Sequence, residues 1–172
     1  MKREAGAPTV PSPGEQRLVG RAARALGRHR LAHAYGHCSL RLDTQSMLVC
    51  AAKPMGQIPA GCDGMVAPVQ GALPKGVLGE VRLHQRLYQS RPESNGVCRS
   101  MPPNLMARPA LGRGPRARHG RGPDVRRGPP VWPDGGWHGD EGNAAEASEL
   151  RGRGRERGRG GNGGGGGGGE GQ

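Results

Sequence analysis

Of the 34 glycines in the 172-residue chain, 22 fall in residues 108–172, and this asymmetry limits where a core can form. The same stretch holds only Leu111, Val125, Val131 and Leu150 as aliphatic residues larger than alanine. Ordering a residue costs roughly 1–2 kcal/mol of backbone entropy, while a fully buried aliphatic side chain returns about 1.5–3 kcal/mol. Four such side chains fall far short, so this half is expected to be disordered if it stands alone. Residues 1–107 are different material, with 12 glycines, regularly spaced aliphatics, and 14 Lys or Arg against 6 Asp or Glu. Phenylalanine is absent and only two Tyr and two Trp occur, so any core is built from small aliphatic side chains and is marginal on its own.

Within the first 107 residues, SPGEQRLVGRAARALGRHRL (12–31) opens with Ser12 and Glu15 at capping-box spacing and Pro13 at the first helical position. Leu18, Val19, Ala22, Ala25, Leu26 and His29 recur at three- and four-residue steps, with Arg17, Arg21, Arg24 and Arg28 opposite. This predicts an amphipathic helix with a solvated arginine face. HCSLRLD (37–43) and MLVCAA (47–52) predict a hairpin. GMVAPVQG (64–71) predicts a third strand, which Pro68 places at an edge or a strand end. GEVRLHQRLYQSR (79–91) predicts a second helix closed by Pro92, with Leu83, Leu87 and Tyr88 on one face, and GVCRS a last short strand before a double proline. Helix, strands, helix, strand in that order argues for an α/β layer with a mainly antiparallel sheet.

No apolar h-region opens the chain, and its longest apolar run, MLVCAA, is far shorter than a bilayer span. These features point to a cytoplasmic location without membrane insertion. Cys38, Cys50, Cys62 and Cys98 include no CxxC pair and read as reduced thiols. The net charge of +12 and pI near 11.1 support weak, non-specific nucleic-acid binding and nothing more specific.

On the second helix Glu80 and His84 stand four apart and share a face, which by itself more often means two side chains facing water than a site. Together, LAHAYGHCSLRLD (31–43), the strand after it, GEVRLHQRLYQSRPESNGV (79–97) and the strand ending in PP resemble the class II aldolase/adducin family. The family's Gly-Asn/His-x-Ser-x-Arg segment is matched by Gly36, His37, Ser39 and Arg41. Its Glu-x-x-x-His helix, followed by Tyr and Arg-Pro, is matched by Glu80, His84, Tyr88, Arg91 and Pro92.

The resemblance implies a three-layer α/β/α domain over residues 14–107, with a fainter continuation to 154. A flexible N-terminus (1–13) precedes it and a low-complexity, disordered Gly/Arg-rich tail (155–172) follows, so the domain is truncated relative to the family. It also implies a metal-dependent lyase, an aldolase or related decarboxylase, acting on a small hydroxy-carbonyl or carboxylate substrate. In such chemistry zinc or another divalent ion stabilises an enediolate. Glu80 would be the acid/base, and Gly36, His37, Ser39, Arg41 and Arg99 would line the substrate site. The family also implies a homo-oligomer.

The family's HxH metal positions, however, hold Arg99 and Met101, and Arg153 stands where the third histidine is expected. A guanidinium cannot donate to a metal and a thioether is a poor zinc ligand. His84 is the residual candidate ligand; Glu80 and Cys98 could in principle add donors, but alternation along the strand points Cys98 away from the cleft. This copy is therefore expected to carry no metal and to be catalytically impaired. The alternatives are a non-catalytic, adducin-like binding domain, or weak RNA binding through the Arg/Gly-rich tail. GC-rich coding DNA read partly out of frame accounts for the tail better than an RNA-binding box does, since such boxes interleave aromatic residues and none lies beyond Trp137.

Overall fold

The computed structural model describes residues 9–110, with side chains to residue 107. The expectations for residues 1–8, the continuation to 154, Arg153 and the 155–172 tail lie outside the described residues.

Helix α1 spans Pro13–Arg28 and starts as its sequence dictates. Ser12 Oγ accepts from the Glu15 amide at 3.2 Å, and Glu15 Oε2 accepts from the Ser12 amide at 2.7 Å. The helix stops at residue 28 rather than the expected 31. Arg30 enters the left-handed region at φ 55, and the Leu31 amide folds back to the Leu26 carbonyl at 2.9 Å. The expected apolar stripe is also rotated. Val19, Gly20 and Ala23 are buried and Leu26 half-buried, whereas Leu18, Ala25 and His29 are exposed. The face is selected by close approach to the short 3₁₀ turn Met55–Gln57, because a Cβ on Gly27 would lie 2.3 Å from the Gly56 amide nitrogen.

Strands β1 (His37–Arg41), β2 (Ser46–Val49), β3 (Met65–Pro68) and β4 (Gly96–Arg99) pair antiparallel in the order β3-β2-β1-β4. Between β1 and β2 the Asp43 carboxylate accepts from the amides of Gln45 and Ser46, both at 2.7 Å, a side-chain-closed turn of the kind aspartate favours. Pro68 ends β3, the strand at one border of the sheet, where its missing N–H costs no ladder bond. A 3₁₀ turn, Gly79–Val81, then leads into helix α2 (Arg82–Ser90). The helix expected from residue 79 thus begins three residues later, and Glu80 sits in the turn before it. After β4 the double proline does not end regular structure. Pro103 opens helix α3, Pro103–Ala110, occupying the first position, where a missing donor is harmless.

Strand alternation sorts the core onto the two faces of the sheet. On one face Cys38, Leu48 and Cys50 pack with Val19 and Ala23 of α1, Met55 and Ile58. On the other, Met47, Val49 and Ala67 pack with Val69, Val81 and Tyr88 of α2. Each helix covers one side, and the side chains of β1 that face α2 are His37, Ser39 and Arg41.

Candidate active site

The period of two along β1 delivers His37, Ser39 and Arg41 to the α2 face, and the helical step of four delivers His84 and Tyr88 to meet them. His84 is fully buried, so the bland reading, two polar residues facing water, does not hold for it. Its Nε2 lies 2.8 Å from His37 Nδ1, and its Nδ1 lies 2.7 Å from Ser39 Oγ. Ser39 Oγ lies in turn 2.9 Å from the Tyr88 hydroxyl. The result is one continuous hydrogen-bonded chain, Tyr88–Ser39–His84–His37, crossing from helix to strand and back.

A neutral imidazole carries one N–H and one acceptor nitrogen. The protons can therefore run from Tyr88 toward His37 or the reverse, without any heavy atom moving. In both senses the far nitrogen, His37 Nε2, ends the chain, buried and with no hydrogen-bond partner among the described residues. The His37 imidazole is held neutral. Burial lowers its pKa from 6.5 to about 4, the Arg99 guanidinium pushes the same way, and the Glu80 carboxylate partly opposes both. Tyr88 is shifted upward, mainly by burial, against the hydrogen bond from Ser39 and the nearby Arg41 charge.

Arg41 is directed elsewhere. Its Nε donates to the Ser94 carbonyl at 2.8 Å and its Nη2 to the carbonyls of Tyr88 and Arg91 at 2.7 and 3.2 Å. The guanidinium also stacks 4.4 Å over the Tyr88 ring. It closes the C-terminal end of α2 and the turn after it, and it approaches the histidine pair only through the Tyr88 ring. Gly36 leaves no room for a side chain, since a Cβ there would meet Ala32 Cβ at 2.3 Å and Met55 Sδ at 2.8 Å.

Arg99 sits directly across from His37 in the β1–β4 ladder and donates to the Tyr35 carbonyl. Glu80, in the turn ahead of α2, makes itself felt at His37 through its charge. The structure thus brings His37, Ser39 and His84 into contact, with Glu80 and Arg99 acting on the same imidazole. Sequence reasoning placed Tyr88 in the core and missed its hydroxyl as the end of the chain. The available signal was the spacing Glu80, His84, Tyr88, one residue per helical turn.

These residues do not fit a divalent metal. Both nitrogens of His84 are engaged by His37 and Ser39, and the cationic Arg99 stands on the neighbouring strand opposite His37. Among the described residues no group of three His, Cys, Asp or Glu could hold a metal ion. No described helix is long and apolar enough to cross a membrane.

No protein-family profile matches the chain, and no curated protein matches it. Solved structures do: the chain has the fold of the class II aldolases. An L-fuculose-1-phosphate aldolase from Thermus thermophilus superposes with a TM-score of 0.64 at 21% identity, over 80% of this chain and 69% of that one. An L-fuculose 1-phosphate aldolase from Glaciozyma antarctica gives a TM-score of 0.64 at 16% identity, over 84% of this chain and 62% of that one. At these identities the likeness is one of fold.

Proposed function

We propose that this chain is a class II aldolase-like lyase domain by descent, of the three-layer α/β/α type, whose site takes a small hydroxy-carbonyl or carboxylate ligand but is impaired in metal-dependent cleavage. The observation that carries this reading is the continuous hydrogen-bonded chain from Tyr88 to His37. It satisfies His84 with protein partners on both ring nitrogens, where a metal site would leave one lone pair free. In this reading Glu80 is the group able to exchange a proton with a ligand, and His37 Nε2 and Arg99 supply a neutral and a cationic contact. Ser39 holds His84 in place, while Gly36 and Arg41 shape the site through the backbone. The +8 balance of residues 1–107 suits an anionic ligand.

The test uses the full-length protein, dialysed and analysed for zinc and manganese, then assayed for cleavage of L-fuculose 1-phosphate, the compound named for both structural neighbours. The expected result is metal far below one ion per chain and no cleavage with either ion added. About one ion per chain, or turnover on adding metal, overturns the proposal.

A further inference from the structure

On the face of the sheet opposite the histidines lie three thiols in a row. Cys50 on the β2 side, Cys38 in the centre and Cys98 on β4 occupy one line across the strands, and all are free. The two neighbours of Cys38 are not equivalent. The Cys50 amide donates to the Cys38 carbonyl at 3.0 Å, so on that side the pair is hydrogen-bonded. On the other side the Arg41 amide donates to the Asn95 carbonyl, and bonded pairs alternate along an antiparallel ladder. Stepping three residues from Arg41 to Cys38, and from Asn95 to Cys98, makes Cys38 and Cys98 a non-hydrogen-bonded pair. In such a pair the Cα atoms stand about 4.5 Å apart and the side chains are closest. That separation lies inside the range a disulfide spans, about 4.4–6.8 Å.

Access is graded along the row: Cys38 and Cys50 are buried, and Cys98 is exposed. The two outer thiols are the acidic ones. The Cys98 thiol is pulled down to about 7 by the neighbouring Cys38 thiol, against partial burial, and the Cys38 Sγ itself donates to the Val19 carbonyl at 3.7 Å. The Cys38 thiol is pushed up by Cys50, Cys98 and burial. Cys50 is also lowered to about 7, first by Cys38 and against burial, but a peroxide cannot reach it directly.

We propose that Cys98 and Cys38 form a peroxide-reactive thiol pair, with Cys98 the attacking sulfur and Cys38 the resolving one. The Cys98 thiolate attacks one oxygen of a peroxide. An S–O bond forms, the O–O bond breaks, and the departing oxygen leaves as water or an alcohol with the proton that Cys98 gave up. Cys98 is then a sulfenic acid, oxidised by two electrons. The Cys38 sulfur attacks the Cys98 sulfur, the S–S bond forms, and the S–O bond breaks. The hydroxide leaves with the Cys38 proton as water, so that two thiols and one hydrogen peroxide become one disulfide and two waters. The new bond ties β1 to β4 one residue away from the His37–Arg99 pair. Oxidation therefore clamps the strands that carry the candidate site.

Peptide mapping of the full-length protein after one equivalent of hydrogen peroxide, with alkylation of the remaining thiols, tests this. Trypsin leaves Cys38 in peptide 31–41 and Cys98 in peptide 87–99, while Cys50 and Cys62 stay together in 42–75. The expected product is 31–41 linked to 87–99, with the thiol count falling from the four cysteines of the sequence to two. Cys98→Ser, a change at an exposed position, should keep its three remaining thiols at the same dose. Cys38→Ser should instead accumulate a sulfenic acid at Cys98 that dimedone traps. A main product linking 42–75 to either peptide, a chain-to-chain dimer, or a disulfide that still forms in Cys98→Ser overturns the proposal.

Discussion

His37 and His84, 47 residues apart in sequence, meet at 2.8 Å through Nδ1 and Nε2, with ring centroids 4.6 Å apart. That contact joins β1 to α2, and the Ser39 hydroxyl, 2.7 Å from the other nitrogen of His84, prevents the ring from turning away. A buried polar network of this kind stabilises only while every member keeps a partner.

Removal of the central ring therefore costs more than its volume suggests. His84→Ala leaves Ser39 Oγ and His37 Nδ1 each short of a partner and opens a cavity, for a loss of about 3–5 kcal/mol in urea unfolding. Ser39→Ala should cost about 1–2 kcal/mol. The double variant should fall short of the sum by more than about 0.5 kcal/mol, the coupling expected of residues in one network. Additive losses would show that the contacts are incidental.

Arg41→Lys is a test of geometry at constant charge. The guanidinium reaches three carbonyls around the end of α2, those of Tyr88, Arg91 and Ser94, and stacks on the Tyr88 ring. A lysine ammonium cannot reproduce that fork. Urea melts should show a loss of about 1–3 kcal/mol, whereas Arg21→Lys, on the exposed side of α1, should stay within about 0.5 kcal/mol.

Much of this fold is legible in the sequence because local chemistry decides it. The capping box at Ser12 and Glu15, the Asp43 turn and the alternation in HCSLR each specify their element without help from the rest of the chain. Where local signals compete with tertiary contact they fail. Leu18 and Ala25 have the right spacing for a core stripe, but the tight approach of Gly27 to Gly56 turns the helix so that both are exposed, and Ala23, outside the expected stripe, is buried beside Val19. Pro103 could stop a strand or start a helix, and the chain after it is helical. At the site, it is the resemblance to the class II aldolase/adducin family, and not spacing, that implies His37, Ser39 and His84 share one cleft. Strand register, which no local signal fixes, decides that Arg99 faces His37 and Cys98 faces Cys38.

Gly36→Ala probes a position where the backbone leaves no space. The added methyl would stand 2.3 Å from Ala32 Cβ and 2.8 Å from Met55 Sδ. Met55 is fully buried, so relief requires β1 to shift at the residue before His37. A loss of about 1–3 kcal/mol is expected, together with faster hydrogen exchange at the β1 amides. Unchanged stability would mean that the segment 32–36 can move without disturbing the histidine pair.

The acid side of the stability curve should report His37. Its imidazole is nearly inaccessible, at 1% exposure, and its pKa is lowered from 6.5 to about 4 by burial first and by Arg99 second. Between those two values the unfolded chain binds a proton that the folded chain refuses, so stability rises with pH across the window. The contribution is fully present above pH 6.5 and is lost as the pH falls toward 4. At about 1.4 kcal/mol per pKa unit, the shift sets an upper bound on the order of 3 kcal/mol. His37→Asn cannot take up a proton. Urea unfolding of the two proteins at steps between pH 7.5 and 4 should give a difference that narrows on acidification, with the native protein losing stability more steeply. Parallel curves would show that the folded chain protonates His37 over the same pH range as the unfolded chain, and would place the proton uptake elsewhere.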